Sequence, residues 1–160
     1  VINGSGNKLD YYLGQGLDYE VLGCNADGSR NTQVTVKLTN HAPRKNLPLY
    51  VDQRLDLPST PAGLPATRSG DNFVFAQIYG TQGAQLAGAK LDGKPVDVAP
   101  GRERGKAVFR VPVVVPAGQS VTITLELLEP PVPAGVDPTP RTFVSPLVKP
   151  ITVHADNSGC

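Results

Sequence analysis

The chain holds two histidines, His41 and His154, and two cysteines, Cys24 and Cys160, so the chemistry open to it is narrow. His41 stands close to Pro43 in a turn-forming run, and His154 lies near the C-terminal end. Either could take a proton or ligate a metal. Neither has partners at ligand spacing, so both read as surface or hydrogen-bonded histidines. No serine sits in G-x-S-x-G or another nucleophile context. The carboxylates Asp10, Asp18, Glu20, Asp52, Asp56 and Asp71 are scattered, and nothing selects the facing pair that glycoside hydrolysis requires. "GRERG" (101–105) lacks the strand-to-helix setting of a phosphate loop and reads as a hairpin turn. An internal isopeptide cross-link needs a core lysine beside an Asn or Asp, and Lys37 falls on the polar face of its strand. These residues lead to an expectation of no catalysis, no metal site and no cofactor.

Binding has more to work with. Among the five tyrosines, Tyr11 and Tyr12 are adjacent, and they join Tyr50 as candidate ligand-facing aromatics. Exposed tyrosine faces stack on apolar sugar faces, whereas core and sheet packing accounts for most tyrosines. The cysteines show no CxxC spacing, and a Cys24–Cys160 disulfide is the better reading against two separate thiols. A bridge implies an oxidising, extracytoplasmic location.

The elements that must position these groups follow from pattern. In "TQVTVKLTN" (32–40), Val34, Val36 and Leu38 alternate with Thr35, Lys37 and Thr39, the period of a strand with one face in a core. "LDYEVLGC" (17–24) alternates likewise, and Asp27-Gly28 between the two runs is a hairpin signal. Asn40 begins a turn and Pro43 cannot donate to a ladder. Residues 41–72 form a long proline-bearing crossover. In it Leu47, Leu49, Val51, Leu55 and Leu57 are expected to pack on the core, and Thr60–Gly70 to be its most mobile part. Further strands are expected at 72–80, 106–116 and 119–129, with a hairpin over 84–99 around Asp92-Gly93. "PPVPAGVDPTP" (130–140) is a stiff connection to a last extended segment over 141–156. Short strands, 17 glycines and 16 prolines in 160 residues give an all-β antiparallel sandwich, immunoglobulin-like in the broad sense. Residues 1–13 read as a linker or lead-in and 14–160 as one domain. "VINGSGN" at the start is expected of a piece excised from a longer protein.

Fifteen basic and fourteen acidic residues leave a net charge of +1, which argues against nucleic acid or an anionic membrane surface as main partner. No run is long and apolar enough to span a bilayer as a helix.

"NKLDYYL" (7–13), Cys24 and "ADGSRNTQVTVKLTNHAP" (26–43) together resemble the C-terminal β-domain of the actinobacterial domain-of-unknown-function 4012 family, and "LDG" (91–93) and "VPAGQSVTITLEL" (115–127) fit its later strands. The resemblance carries no catalytic residues. It implies a membrane-anchored parent protein with a larger extracytoplasmic region ahead of this domain. The expectation is a non-catalytic structural or protein-interaction domain of a secreted or membrane-anchored envelope protein. The alternative is a carbohydrate-binding module for cell-wall or capsular glycans.

Overall fold

The structure is a computed structural model that describes residues 1–53, 65, 67–146 and 148–159. It is an all-β sandwich of two sheets, as the alternation predicts. Chain order is β1 (Ile2–Asn3), a 3₁₀ turn (Leu9–Tyr12), β2 (Leu13–Cys24), β3 (Arg30–Asn40), α1 (Leu49–Asp52), β4 (Asn72–Tyr79), β5 (Gln85–Leu91), β6 (Lys94–Pro95), β7 (Ala99–Glu103), β8 (Lys106–Val115), β9 (Ser120–Glu129) and β10 (Ile151–Asp156). One sheet has the order β1-β4-β8-β7 and the other β10-β2-β3-β9-β5-β6.

The β2–β3 hairpin turns where expected. Asp27 Oδ1 accepts from the Ser29 amide (2.9 Å) and hydroxyl (2.6 Å), and Gly28 takes the positive φ (82°). Asp92-Gly93 and Arg104-Gly105 each hold two successive positive φ values, the tight-hairpin geometry. The second of these turns lies at "GRERG". The expected hairpin over 84–99 is cut short: β6 is only two residues long, and from Ala99 the chain joins the other sheet as β7.

Leu13, Val34, Val36 and Leu38 from one sheet and Val74, Val111 and Val113 from the other belong to one buried cluster, joined by Ile123 and Leu125 of β9. Leu13, Leu38, Val74, Val111, Ile123 and Leu125 are fully enclosed. Their burial supplies the main driving force for closing the sandwich.

Three features depart from the sequence reading, and a fourth lies outside what the structure describes. Residues 1–13 are built into the fold: β1 pairs with β4, and Leu9 is fully buried. The final strand is shorter than 141–156, and β10 lies parallel to β2, with Ile151 beside Gln15 and Asp156 beside Glu20. A long connection permits this, because the chain returns to the starting end of the sheet before it pairs. Leu49 does not pack on the core; it is 58% exposed on a four-residue helix whose other face meets the 3₁₀ turn. Leu55, Leu57 and residues 60–64 of the crossover lie outside the described residues.

Candidate functional site

The two ends of the sandwich are closed by polar groups, and the ends differ. At one end β3 finishes in Asn40, which is 1% exposed. Its amide donates to Gly70 O (2.8 Å) and Val115 O (2.9 Å), and its Oδ1 accepts from the Ala42 amide (2.9 Å). That answers why the strand stops there: Asn40 ties three chain segments together. Beside it, buried Asp71 accepts from the Ala117 amide (2.9 Å) and the Arg68 amide (3.2 Å), with Arg44 at 3.4 Å.

The candidate aromatics lie at this end. The Lys8 amide donates to Val51 O (2.9 Å), which holds the 3₁₀ turn against α1. Tyr11 (59% exposed) and Tyr50 (63% exposed) stand on these two turns with exposed Leu49. Tyr12 is half-buried and meets Tyr11 edge-on, ring centroids 5.1 Å apart and planes at 85°. The pair therefore does not form one flat stacking platform. A shallow depression beside Tyr11 is lined by Asn7, Lys8, Asp10 and Val148.

At the other end the apolar stripes of β3 and β9 run out in Arg30 and Glu129, register partners with both side chains buried. Glu129 Oε2 accepts from Tyr19 Oη (2.6 Å) and Arg30 Nη2 (3.2 Å), and Oε1 accepts from Thr81 Oγ1 (3.0 Å). Burial, and then the bond to Glu129, push the Tyr19 phenol well above its ordinary value. Sequence reasoning missed this cluster. The available signal was a charge lying in phase with the apolar alternation on two different strands.

Arg30 and Glu129 open onto a groove of about 1480 Å³ that also reaches Gln15 and Leu17 of β2 and Ile78 of β4. Its outer wall is the segment 130–145, a strap that runs from the end of β9 back toward the start of β10. Among the described residues, Gln15 Nε2 and Arg30 Nε are buried donors without a hydrogen-bond partner.

The remaining candidates are not brought together. His41 is exposed beside Gly14, and His154 is exposed on β10. Lys37 is exposed, so it cannot form a core cross-link. No group of three or more His, Cys, Asp or Glu among the described residues could hold a metal ion. No helix among them is long and apolar enough to cross a membrane. Cys24 is exposed and is not a free cysteine, whereas Cys160 lies outside the described residues. Gly159 is seated against Val21 and Leu22, so closely that a Cβ on it would collide with Val21 O.

No protein-family model matches the chain, and no curated protein matches it. Among solved structures it is similar to an M1 zinc metallopeptidase from Deinococcus radiodurans, at 12% identity and a TM-score of 0.35, over 84% of this chain and 22% of that one. A two-domain M1 zinc metallopeptidase bound to L-arginine gives 12% identity and a TM-score of 0.37, over 78% of this chain and 22% of that one. The chain thus spans about a fifth of the length of the structures it matches. A likeness this slight assigns no activity.

Proposed function

We propose that this chain is a non-catalytic protein-interaction domain of an extracytoplasmic envelope protein, and that it meets its partner through the turns bearing Tyr11, Leu49 and Tyr50. The observation that carries this reading is the exposure of those three side chains on adjoining turns held by a main-chain hydrogen bond. Exposed aromatic anchors on a fixed backbone are the composition of a binding hot spot. Leu49 and the edge-on Tyr11–Tyr12 pair favour a protein partner over a sugar face. The extracytoplasmic placement draws support from Cys24, which is not a free thiol.

The test is a photo-crosslinking residue at Tyr50 in the full-length parent protein in its native envelope, with Lys94 as an exposed control site. Protein adducts at position 50 that are absent at 94, and that disappear with Tyr11→Ser, are the expected result. Equal labelling at both sites overturns the reading. Retention on purified cell-wall glycan that is lost in Tyr11→Ala and Tyr50→Ala would move the domain to the glycan-binding alternative.

A further inference from the structure

The sheet that holds β4 is one strand short along part of its edge. β1 pairs with β4 only at Val74 and Phe75, whereas β8 pairs with β4 from Asn72 to Tyr79. The Gly4 amide donates to Phe73 O (2.9 Å) on the β1 side, and the Gly80 amide donates to Ala107 O (3.0 Å) on the β8 side. In an antiparallel ladder these directions alternate residue by residue. The main-chain N–H and C=O groups of Gln77 and Tyr79 therefore point away from β8, along the edge that β1 leaves uncovered. Among the described residues no strand continues along that edge, and Ala76, Gln77, Ile78 and Tyr79 line the groove there. Such a row of main-chain groups is a template for one more strand.

The strap has the direction and the level to supply that strand. β4 runs from the Asn40 end, where Asn40 bonds Gly70 O, to the Glu129 end, where Thr81 bonds Glu129. The strap leaves β9 at Glu129 and returns toward Ile151, beside Gln15 near the Asn40 end, so it runs antiparallel to β4. Two contacts fix its level. Pro138 O accepts from Arg30 at the Glu129 end, and Pro146 shares the shallow depression with Asn3, the partner of Val74. Spaced between these points at about 3.4 Å per residue, Thr142–Val144 pass level with Gln77–Tyr79.

Pro140 and Pro146 bound a proline-free run, "RTFVS" (141–145), whose Thr142, Phe143 and Val144 are strong strand formers. The run is in no strand, and Phe143 is largely exposed beside the groove. Register follows from burial. Ile78 faces the core, whereas Tyr79 is exposed on the opposite face. Directly opposed residues share a face, so Phe143 set opposite Ile78 enters the groove toward Leu17, Val34 and Val36. Thr142 and Val144 then lie on the outer face, opposite Tyr79 and Gln77. No charge is carried inward by these three residues, and the charged lining residues Lys106, Asp137 and Arg141 are all exposed. We propose that the strap, open in this structure, closes by adding Thr142–Val144 as a short antiparallel strand to the free edge of β4, with Phe143 entering the groove. The closed strap withholds that edge from other chains, and the open strap offers it.

The proposal shares no residue with the tyrosine face. Amide hydrogen exchange and nuclear Overhauser contacts in the full isotope-labelled chain test it. The Gln77 and Tyr79 amides should exchange at least about tenfold more slowly than unprotected amides, and the Phe143 ring should contact the Ile78 and Leu17 methyl groups. Phe143→Ser removes the side chain that enters the groove, and Thr142→Pro removes the donor that faces Tyr79 O. Each change should return Gln77 and Tyr79 toward unprotected rates. The Ile78 amide, which faces β8, should keep its protection and so report that each variant is folded. Because the two substitutions act on different groups of the strap, one still decides the matter if the other fails to fold. Unprotected Gln77 and Tyr79 amides in the unsubstituted chain overturn the proposal. So does protection that is unchanged in a folded variant, or a Phe143 ring without contact to Ile78.

Discussion

Replacing Glu129 by alanine tests the account of the Arg30 end most directly. The Glu129 side chain is 2% exposed and that of Arg30 is 10% exposed. Removing the carboxylate leaves a buried guanidinium without its counter-charge, a change that costs about 3–5 kcal/mol. Tyr19 Oη and Thr81 Oγ1 also lose their acceptor. Water from the adjoining groove can replace part of that, so the expected total stays near the same ~3–5 kcal/mol. Against a typical domain stability of about 5–15 kcal/mol this is a large fraction. With a urea dependence of about 2 kcal/mol per molar, the unfolding midpoint should fall by roughly 2 M. The double variant Arg30→Met/Glu129→Leu removes both charges together and should recover most of the loss, because well-packed apolar residues often replace a buried pair at little cost. Urea melts followed by circular dichroism give both numbers. A Glu129→Ala loss below about 1 kcal/mol would refute the reasoning, since the pair would then be solvated rather than enclosed.

Three further outcomes follow from the same structure. The Tyr19 phenol ionises later in the folded chain than in the unfolded one, so the folded state holds more protons above pH ~10 and stability should decline as pH rises from there; Tyr19→Phe should abolish that share of the decline in urea melts at stepped pH. Asp71→Ala removes the acceptor of the Ala117 and Arg68 amides and should cost about 1–3 kcal/mol, with faster hydrogen exchange at Ala117; unchanged protection there would contradict the role given to Asp71. Cys24 and Cys160 should form a disulfide, because β10 runs along β2 at a constant offset of 136 positions, the same offset that separates the two cysteines, and closing so long a loop is worth about 5 kcal/mol at most. Thiol titration of the denatured, unreduced protein checks it, and two free thiols would defeat it.

How much of this was legible in the sequence depends on the range of the interaction involved. Val34, Val36 and Leu38 declared their face because burial of one face imposes period two on the strand itself. Asp27-Gly28 and Asp92-Gly93 declared their turns because positive φ limits the residue types that fit. The parallel pairing of β10 left no such trace, since Thr152, His154 and Asp156 would serve equally well against any edge strand. Arg30 and Glu129 resemble ordinary surface charges at strand ends, and only register places them opposite each other inside the sandwich. Tyr11 and Tyr50 lie about 40 residues apart in sequence, and a main-chain hydrogen bond, Lys8 N to Val51 O, helps set their turns side by side.

The contrast between the two ends bears on which of them can accept a ligand. Around Asn40 and Asp71 the side chains are bonded mainly to main chain, so their geometry is over-determined, and the spare polar atom there, Asn72 Oδ1, is fully enclosed. Along the groove Gln15 Nε2 and Arg30 Nε are themselves enclosed, while other parts of Gln15 and Arg30 line an open volume. The strap over it carries Val136 (55% exposed) and Phe143 (85% exposed), which line that volume and leave it open to solvent. Among the described residues, a long-range side-chain hydrogen bond to the strap is the 3.5 Å contact from Arg30 Nη1 to Pro138 O, at the outer limit of bonding distance. Shifting the middle of the strap would break that contact, while its ends stay fixed by β9 and by the six-residue ladder of β10 on β2. A segment anchored at both ends can shift its middle without unravelling the sheet, and a Cys24–Cys160 bridge beyond β10 would make the C-terminal anchor permanent.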